Sequence, residues 1–475
     1  MIKKIFLIIF YYPLYFLQLE NYQLKRSYWA YLKKALSLTR PRQKLVFTKK
    51  LIVLILISLL IIFFEIYFLF KSNFFLFAFL KSLIFILCFP VIIGLSVLIF
   101  LPFDLLFKWL IIFKASQKIK KLKNLKIIGI TGSYGKTSFK EILTTLLGVK
   151  YKLVFTPENK NTPLGISAVI LKNLKPETEI FVAEMSAWQK GDIKTLCKIC
   201  PPDISVLTGI NESHLERFKT IENTINTKFE IIRYAKPNAL VFLNADNELI
   251  INNYKKFVFK KEVIFYGKDN IEYLGYKIKD ISFNEEKLTQ SFILEKDNKE
   301  TFYEIPLLGE YAISTVIGAI LVASKLGLNE SDIKTGLSFL KPIEHRLQPI
   351  KKDEFLIIDD SYNGNPNGAK EAIKVLSKFK NKRKIYVTPG LVEMGERTKE
   401  VHLEIGKNLA TVADLVILIK NSVTNYIIEG LLENGFKKEN IIIFNSPLEL
   451  QEKIKEILKP NDVVVFQNDW PDNYF

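Results

Sequence analysis

The sequence predicts an α/β protein: a central P-loop domain and a smaller Rossmann-like domain, preceded by α-helical transmembrane segments. Three observations carry this expectation. The first 126 residues hold two long apolar stretches flanked by basic ones. Residues 126–147 read as strand, glycine loop, Lys-Thr and helix. From about residue 355 onward, short apolar runs alternate with segments of helical spacing, the pattern of a parallel sheet.

Charge separates the first piece from the rest. The chain has 475 residues and a net charge of +18, from 67 Lys/Arg and 49 Asp/Glu. Residues 1–126 hold 20 Lys/Arg against Glu20, Glu65 and Asp104, or +17, which leaves 47 − 46 = +1 for the remainder. The excess of positive charge is therefore local, which argues against a nucleic-acid partner. With 49% hydrophobic residues the chain is not disordered. Cys88, Cys197 and Cys200 are too few for a disulfide framework, and the single C-x-x-C reads as one helix face in a reducing compartment.

Residues 51–70 and 83–103 are each long enough to cross about 30 Å of hydrocarbon. Nine Lys/Arg in 20–50 and six lysines in 114–126 outweigh the two in the linker 71–82, so the positive-inside rule puts both flanks in the cytoplasm. Residues 5–19, short and broken by Pro13, read as an interfacial segment. Residues 20–50, with Tyr22, Tyr28, Trp29 and Tyr31 among the basic residues, suit a helix on anionic lipid. The expectation is a multi-pass cell-membrane protein with lipid partners and its catalytic domains on the cytoplasmic side.

Past residue 126 the segment KIIGI (126–130) reads as a strand, followed by Thr131-Gly132-Ser133-Tyr134-Gly135-Lys136-Thr137-Ser138 and a helix. Glycines let backbone N–H groups converge on phosphate oxygens, Lys136 can reach the terminal phosphates, and the Thr137 hydroxyl can ligate Mg²⁺. The general phosphate-loop spacing fails by one residue, because Ile130 stands where a glycine is wanted and Gly129 lies one further back.

The variant T-G-x-x-G-K-T-[ST] is that of the Mur ligase superfamily. The chain resembles that superfamily over about 127–475, in particular its branch that adds D-alanyl-D-alanine to a UDP-linked peptidoglycan precursor. The matches fall in order: Thr156-Pro-Glu-Asn159-Lys-Asn161-Thr162-Pro163-Leu-Gly165, Glu184-Met185 with Gly191-Asp192-Ile193, Thr208 to Glu216 including His214, Lys228 in TKFEI, Asn244-Ala-Asp246, Glu344-His345-Arg346, Asp359-Asp360-Ser361-Tyr362-Asn363-Gly364-Asn365-Pro366, and Glu393-Met394-Gly395-Glu396 with His402 to Gly406. Three parts are expected: a membrane anchor 1–126 from its apolar and basic composition, and, over the stretch of resemblance, an ATP-binding domain 127–341 and a C-terminal domain 342–475. Short apolar runs alternating with helical spacing predict strands near 355–359, 384–389, 415–419, 441–444 and 462–466 in the last part.

The implied reaction is ATP-dependent amide formation through an acyl phosphate. By resemblance, Thr131, Gly132, Ser133, Gly135, Lys136, Thr137 and Ser138 hold the nucleotide phosphates, with Asn244 and Asp246 near the adenine or ribose. Arg346 lies near the γ-phosphate and Asp360 near the ribose. Thr137 and Glu184 hold one Mg²⁺, while His214 and a carbamylated Lys228 hold a second. Asn159, Asn161, Asn363 and Asn365 face the substrates, and His402 is structural. Lys136, Glu184, His214, Lys228 and Arg346 form the catalytic set, and arginine and lysine from different domains imply completion on closure. The partners are a carboxylate acceptor, UDP- or lipid-linked, and an amine. The sequence departs from the family where membrane segments replace the UDP-binding domain, at Tyr311, Ala312 and Thr315, and at the end (468–475). Alternatives are a ligase for an anionic polymer such as poly-γ-glutamate and a non-catalytic ATP-binding scaffold.

Overall fold

The structure, a computed structural model, describes residues 7–20, 22–37, 44–71, 88–212, 215–258, 260–269, 271–352, 354–362 and 364–469. It divides between Leu110 and Ile111 into two compact units.

The first unit is helical. A π-helical turn (Leu7–Tyr11) runs into helix Tyr12–Leu19, followed by helices Leu24–Ser37, Lys49–Lys71 and Phe89–Lys121, the last extending into the second unit. The segment expected to be interfacial is instead largely buried: Leu14 and Leu17 pack with Leu51, Leu54, Phe89, Ile93 and Val97. The Ser58 and Ser96 hydroxyls meet at 2.7 Å, one donating to the other and the other donating to the carbonyl four residues back in its own helix, Leu54 O or Ile92 O. Asp104 takes ion pairs from Lys50 and Lys108. The outer faces carry exposed apolar side chains such as Phe63, Phe64 and Phe107. Among the described residues two helices are long and apolar enough to cross a membrane by length and composition. The second begins at Phe89, and 83–87 of the predicted span lie outside the described residues.

The second unit holds two open α/β layers and a small meander. Strands β1 (Lys126–Thr131), β2 (Leu153–Phe155), β3 (Ile180–Glu184), β4 (Ile204–Leu207), β5 (Leu240–Asn244) and β6 (Val263–Tyr266) form a parallel sheet in the order β2-β3-β1-β4-β5-β6. Their near-continuous apolar runs fit strands covered on both faces. On one face helices Lys136–Leu147 and Glu310–Lys325 build a core around Phe139, Ile142 and Ile317. On the other, helices Pro163–Asn173, Asp192–Ile199 and Ile221–Arg233 pack around Ile166, Leu196 and Phe229. Residues 111–125, placed with the anchor by composition, belong to this second core through Ala115, Ile119 and Leu125. Cys197 and Cys200 are free and buried there.

An antiparallel meander, β7 (Lys277–Asn284), β8 (Thr289–Lys296) and β9 (Lys299–Ile305), was not foreseen. The C-terminal sheet follows: β10 (Gln348–Lys351), β11 (Leu356–Asp360), β12 (Lys384–Thr388), β13 (Leu415–Ile419), β14 (Ile441–Phe444) and β15 (Val463–Gln467), ordered β10-β11-β15-β12-β13-β14. All neighbours are parallel except the edge pair β10–β11. The five predicted strands are β11 to β15, each within one residue at its ends. In the first sheet, β3 and β4 flank β1 on opposite sides, so the chain crosses over β1 between them. Crevices at such switch points, beyond the carboxyl ends of the strands, bind ligands in open α/β sheets, and the glycine loop lies there.

Candidate active site

The loop after β1 is shaped by two glycines. Gly135 adopts φ +76° at the start of helix Lys136–Leu147, a conformation costly for other residues. A Cβ on Gly132 would lie 2.1 Å from Thr208 Oγ1, so the loop can pack against the end of β4 only with hydrogen there. The loop is further tied down by Thr131 Oγ1, which donates to Met185 O at 2.7 Å, and by the Ser133 hydroxyl, which meets the Asn211 backbone. Lys136 folds back so that its Nζ donates to Gly132 O at 2.9 Å. Burial lowers the pKa of Lys136; Glu184 opposes this and the charge of Arg346 adds to it.

Glu184 ends β3 beside this loop. Its Oε2 accepts from Thr137 Oγ1 at 3.1 Å and its Oε1 from Asn161 Nδ2 at 3.0 Å. Lys140 Nζ lies 3.6 Å from Oε2, 3.0 Å from Glu141 Oε1 and 3.0 Å from the Thr156 carbonyl it donates to. Lys140 is fully buried, four residues along the helix from Lys136, and was not singled out from the sequence. Lys228 is buried on helix Ile221–Arg233, 5.6 Å above the Phe218 ring. Burial, then the neighbouring Lys136 charge, brings its pKa down to about 7. No carboxylate among the described residues forms an ion pair with it. His214 lies outside the described residues.

The opposite wall comes from the C-terminal domain. Arg346 sits between two left-handed residues, His345 (φ 56°) and Leu347 (φ 47°). Its guanidinium lies 4.2 Å from the Tyr362 ring centroid. Asp359 and Asp360, at the end of β11, hold this turn: His345 Nδ1 meets Asp359 Oδ2 at 2.7 Å, and Leu347 N donates to Asp360 Oδ1. Burial pushes Asp360 up to about 7, although Arg346 pulls the other way. Tyr311, at the start of helix Glu310–Lys325, stands close to Ser138 and Asp360, and burial raises its pKa well above the tyrosine range.

The two walls are joined by direct bonds. Tyr362 OH donates to Asn159 Oδ1 at 2.7 Å. Asn211 Nδ2 donates to Asn365 Oδ1 and Asn367 Oδ1. Arg217 pairs with Glu393 at 2.6 Å and stacks 4.3 Å from the Trp188 ring, and Arg397 pairs with Glu212.

Several predicted residues are occupied within the fold. Asp246 accepts from Lys268 N, Asp269 N and Ser314 Oγ. Asn244 donates to Thr208 O and accepts from Asp246 N. Asn365 caps helix Pro366–Ser377 by accepting from Gly368 N, an Asn-Pro helix start that the sequence displays. Asn363 lies outside the described residues. His402 accepts from Leu391 N at Nε2 and so donates from Nδ1 to Thr398 O; burial lowers its pKa, as suits a structural histidine.

The donor set at Glu184 suits a divalent cation of the Mg²⁺ kind: a hydroxyl and a carboxylate oriented together at the end of a phosphate loop. Among the described residues no cluster of three His, Cys, Asp or Glu could hold a metal without other ligands.

Comparison with known proteins places this arrangement. Residues 130–323 match the Mur ligase middle domain and 345–467 the Mur ligase glutamate ligase domain. The UDP-N-acetylmuramoyl-tripeptide–D-alanyl-D-alanine ligase of Bacillus subtilis is 29% identical over 344 residues, 72% of each chain. The Buchnera aphidicola (Acyrthosiphon pisum) enzyme of the same name is 30% identical over 289 residues, 61% of this chain and 62% of its own. A crystal structure of MurF from Thermotoga maritima with ADP superposes with a TM-score of 0.66 at 30% identity, over 76% of this chain and 80% of the other.

These matches overturn the expectation of a multi-pass membrane protein with lipid partners. The relatives are named as ligases of a UDP-linked substrate, and the matched residues 130–467 leave out both apolar helices. Those helices qualify as spans by length and composition only, a test that a soluble core helix or a signal sequence also passes. With a phosphate loop, a carboxylate at its threonine, an arginine facing it from a second α/β domain, and these likenesses, the chain belongs to the Mur ligase family, on its MurF branch, and is an ATP-dependent ligase that forms a carbon–nitrogen bond.

Proposed function

We propose that the chain joins D-alanyl-D-alanine to the free carboxylate of a UDP-N-acetylmuramoyl tripeptide, converting ATP to ADP and phosphate. The observation that carries this reading is the convergence of Lys136, Thr137, Glu184 and Lys228 on one wall with Arg346 on the other. The names of the relatives supply the substrates. A lipid-linked acceptor rested on the membrane location and falls with it.

In this reading the acceptor carboxylate attacks the γ-phosphorus and ADP leaves. The amine of the dipeptide then attacks the acyl carbon, phosphate departs, and an amide remains. Several negative oxygens meet in the first step, so positioned cations and donors matter more than acid–base groups. Lys136 would leave the Gly132 carbonyl to bind β- and γ-phosphate oxygens, and the loop amides and Ser138 would hold the rest. Arg346 would face the γ-phosphate, with Asp360, Asn244 and Asp246 on the nucleoside side and Asn159, Asn161, Asn363 and Asn365 toward the substrates. Thr137 and Glu184 would hold one Mg²⁺, and His214 with Lys228 a second; such ions neutralise the crowded phosphate oxygens. Burial without a carboxylate partner supports Lys228 as a carbamate, because the neutral amine is the form that takes up CO₂. We assign ATP binding to residues 127–341 and closure to 342–475.

The test is incubation of the full chain with ATP, D-alanyl-D-alanine and UDP-N-acetylmuramoyl tripeptide. The expected product gains one dipeptide less one water, with one ADP per amide, and Lys136→Ala forms none. Dipeptide-independent ATP hydrolysis with no product mass would refute the reading.

A further inference from the structure

Arg346 has no ion-pair partner among the described residues, so something other than a carboxylate must aim it. Its backbone is held by the neighbouring turn, in which His345 and Leu347 both take left-handed conformations that cost energy for such residues. Its side chain is held differently: the guanidinium carbon lies over the Tyr362 ring, 4.2 Å from its centroid. That same ring carries a hydroxyl bonded to Asn159 at 2.7 Å, across 203 positions of sequence and from the other wall of the cleft. Asn159 is itself left-handed (φ 64°) and lies two residues before Asn161, which holds Glu184. One tyrosine therefore connects the arginine of one domain to the loop that orients the carboxylate of the other.

We propose that Tyr362 is a positioning residue: its ring aims Arg346, and its hydroxyl, by engaging Asn159, admits Arg346 to the phosphate site only when the C-terminal domain has closed. The inference rests on the reading of Arg346 as a γ-phosphate contact. It also explains the chemistry at position 362. Phenylalanine would keep the stack but lose the link between domains, and an aliphatic residue would lose both.

The experiment uses the full-length enzyme with ATP, the tripeptide acceptor and the dipeptide, comparing Y362F, N159G, Y362F/N159G, Y362L and R346A. Glycine at 159 tolerates the positive φ, so the side chain is removed without new strain. Loss of one hydrogen bond should cut kcat/KM for ATP about three- to tenfold in Y362F and in N159G, mostly through KM. The double variant should be no worse than the weaker single one. Y362L should lower kcat as well, toward the value of R346A, with melting temperatures unchanged across the set. Additive losses in the double variant, or a Y362F enzyme like wild type, would overturn the proposal. If R346A itself retains wild-type kcat, the γ-phosphate reading fails and the proposal with it. If R346A is inactive while Y362L is not, the reading stands and only Tyr362 is wrongly assigned.

Discussion

On the middle-domain wall of the cleft, Lys136 and Glu184 are held from within their own domain: Lys136 by its loop carbonyl, and Glu184 by Thr137, Asn161 and Lys140. On the C-terminal wall, Arg346 rests on one aromatic ring whose hydroxyl reaches across to the other domain. The first wall is assembled before anything binds. The second is completed by contact with the first. A ligase gains from that division, because an acyl phosphate formed in an open cleft would be lost to water. Preformed groups can bind nucleotide early, and the last cation arrives only with closure.

The largest expected effect tests whether the middle-domain wall works by chemistry beyond ATP binding. Lys228→Ala should reduce turnover on the order of 10²- to 10³-fold, the scale seen when one transition-state partner is removed. ATP affinity, measured by titration of a fluorescent analogue, should stay within about twofold, because the phosphate loop is untouched. A short carboxylate such as formate should restore part of the turnover if the lysine acts as a carbamate. Wild-type turnover in Lys228→Ala would remove this residue from the mechanism and leave the first wall a nucleotide-binding surface only.

A second effect, in stability, asks how much of the preformed wall depends on Lys140. Its ammonium is wholly buried among the Thr156 carbonyl, Glu141 and Glu184. Lys140→Met keeps the length but leaves a buried carboxylate with one cation fewer. Removing one partner of a buried pair is strongly destabilising, here by about 2–4 kcal/mol given that Thr137 and Asn161 still bind Glu184. Urea denaturation would measure it. Half-saturation by Mg²⁺ should move to lower concentration, since the carboxylate would no longer be shared with an ammonium. An unchanged unfolding midpoint would mean that Lys140 adds nothing to the wall's assembly.

The first wall was far more legible in the sequence than the second, for a physical reason. A strand, a glycine loop and a helix are contiguous, so residues 126–147 declare themselves through local pattern, and the strands at 384–388 and 415–419 do so through runs of buried apolar residues. Lys140 could have been found: four positions after Lys136 it falls on the same helix face, and a lysine followed by Glu141 among apolar neighbours marks a buried pair. Asn365 was legible as a helix cap through the following proline, a local signal. The meander was written as alternation in TQSFILEK, where side chains 290, 292 and 294 turn inward. Tyr362 could not be read as a bridge, because its partner is Asn159, and no local pattern encodes a contact over that separation. The apolar N-terminal helices failed in the opposite direction: length and composition alone do not say what solvent surrounds a helix.

The smallest effect concerns how the second wall is kept against the first. Glu310, on the middle domain, pairs with Lys374 and Lys378 of the C-terminal domain and with Lys268 of its own. Burial would raise its pKa, but hydrogen bonds from Lys374 and Lys268 outweigh it and hold the carboxyl at about 2, against an ordinary 4.5. A carboxyl depressed in the folded state contributes stability that is present above the unfolded value and lost as pH falls through the folded one. The contribution of Glu310 should therefore be complete above about pH 4.5 and fade toward pH 2. Because the group is partly exposed to solvent, screening limits it to no more than about 1 kcal/mol. Urea midpoints from pH 6 to pH 3 should fall less steeply in Glu310→Gln than in wild type, and 0.5 M salt should narrow the difference by screening the lysines. Parallel pH profiles would mean that these ion pairs do not hold the domains, leaving Tyr362–Asn159, Asn211–Asn365 and Arg217–Glu393 to do so. Closure would then depend on the bonds that cross the cleft rather than on the Glu310 ion pairs.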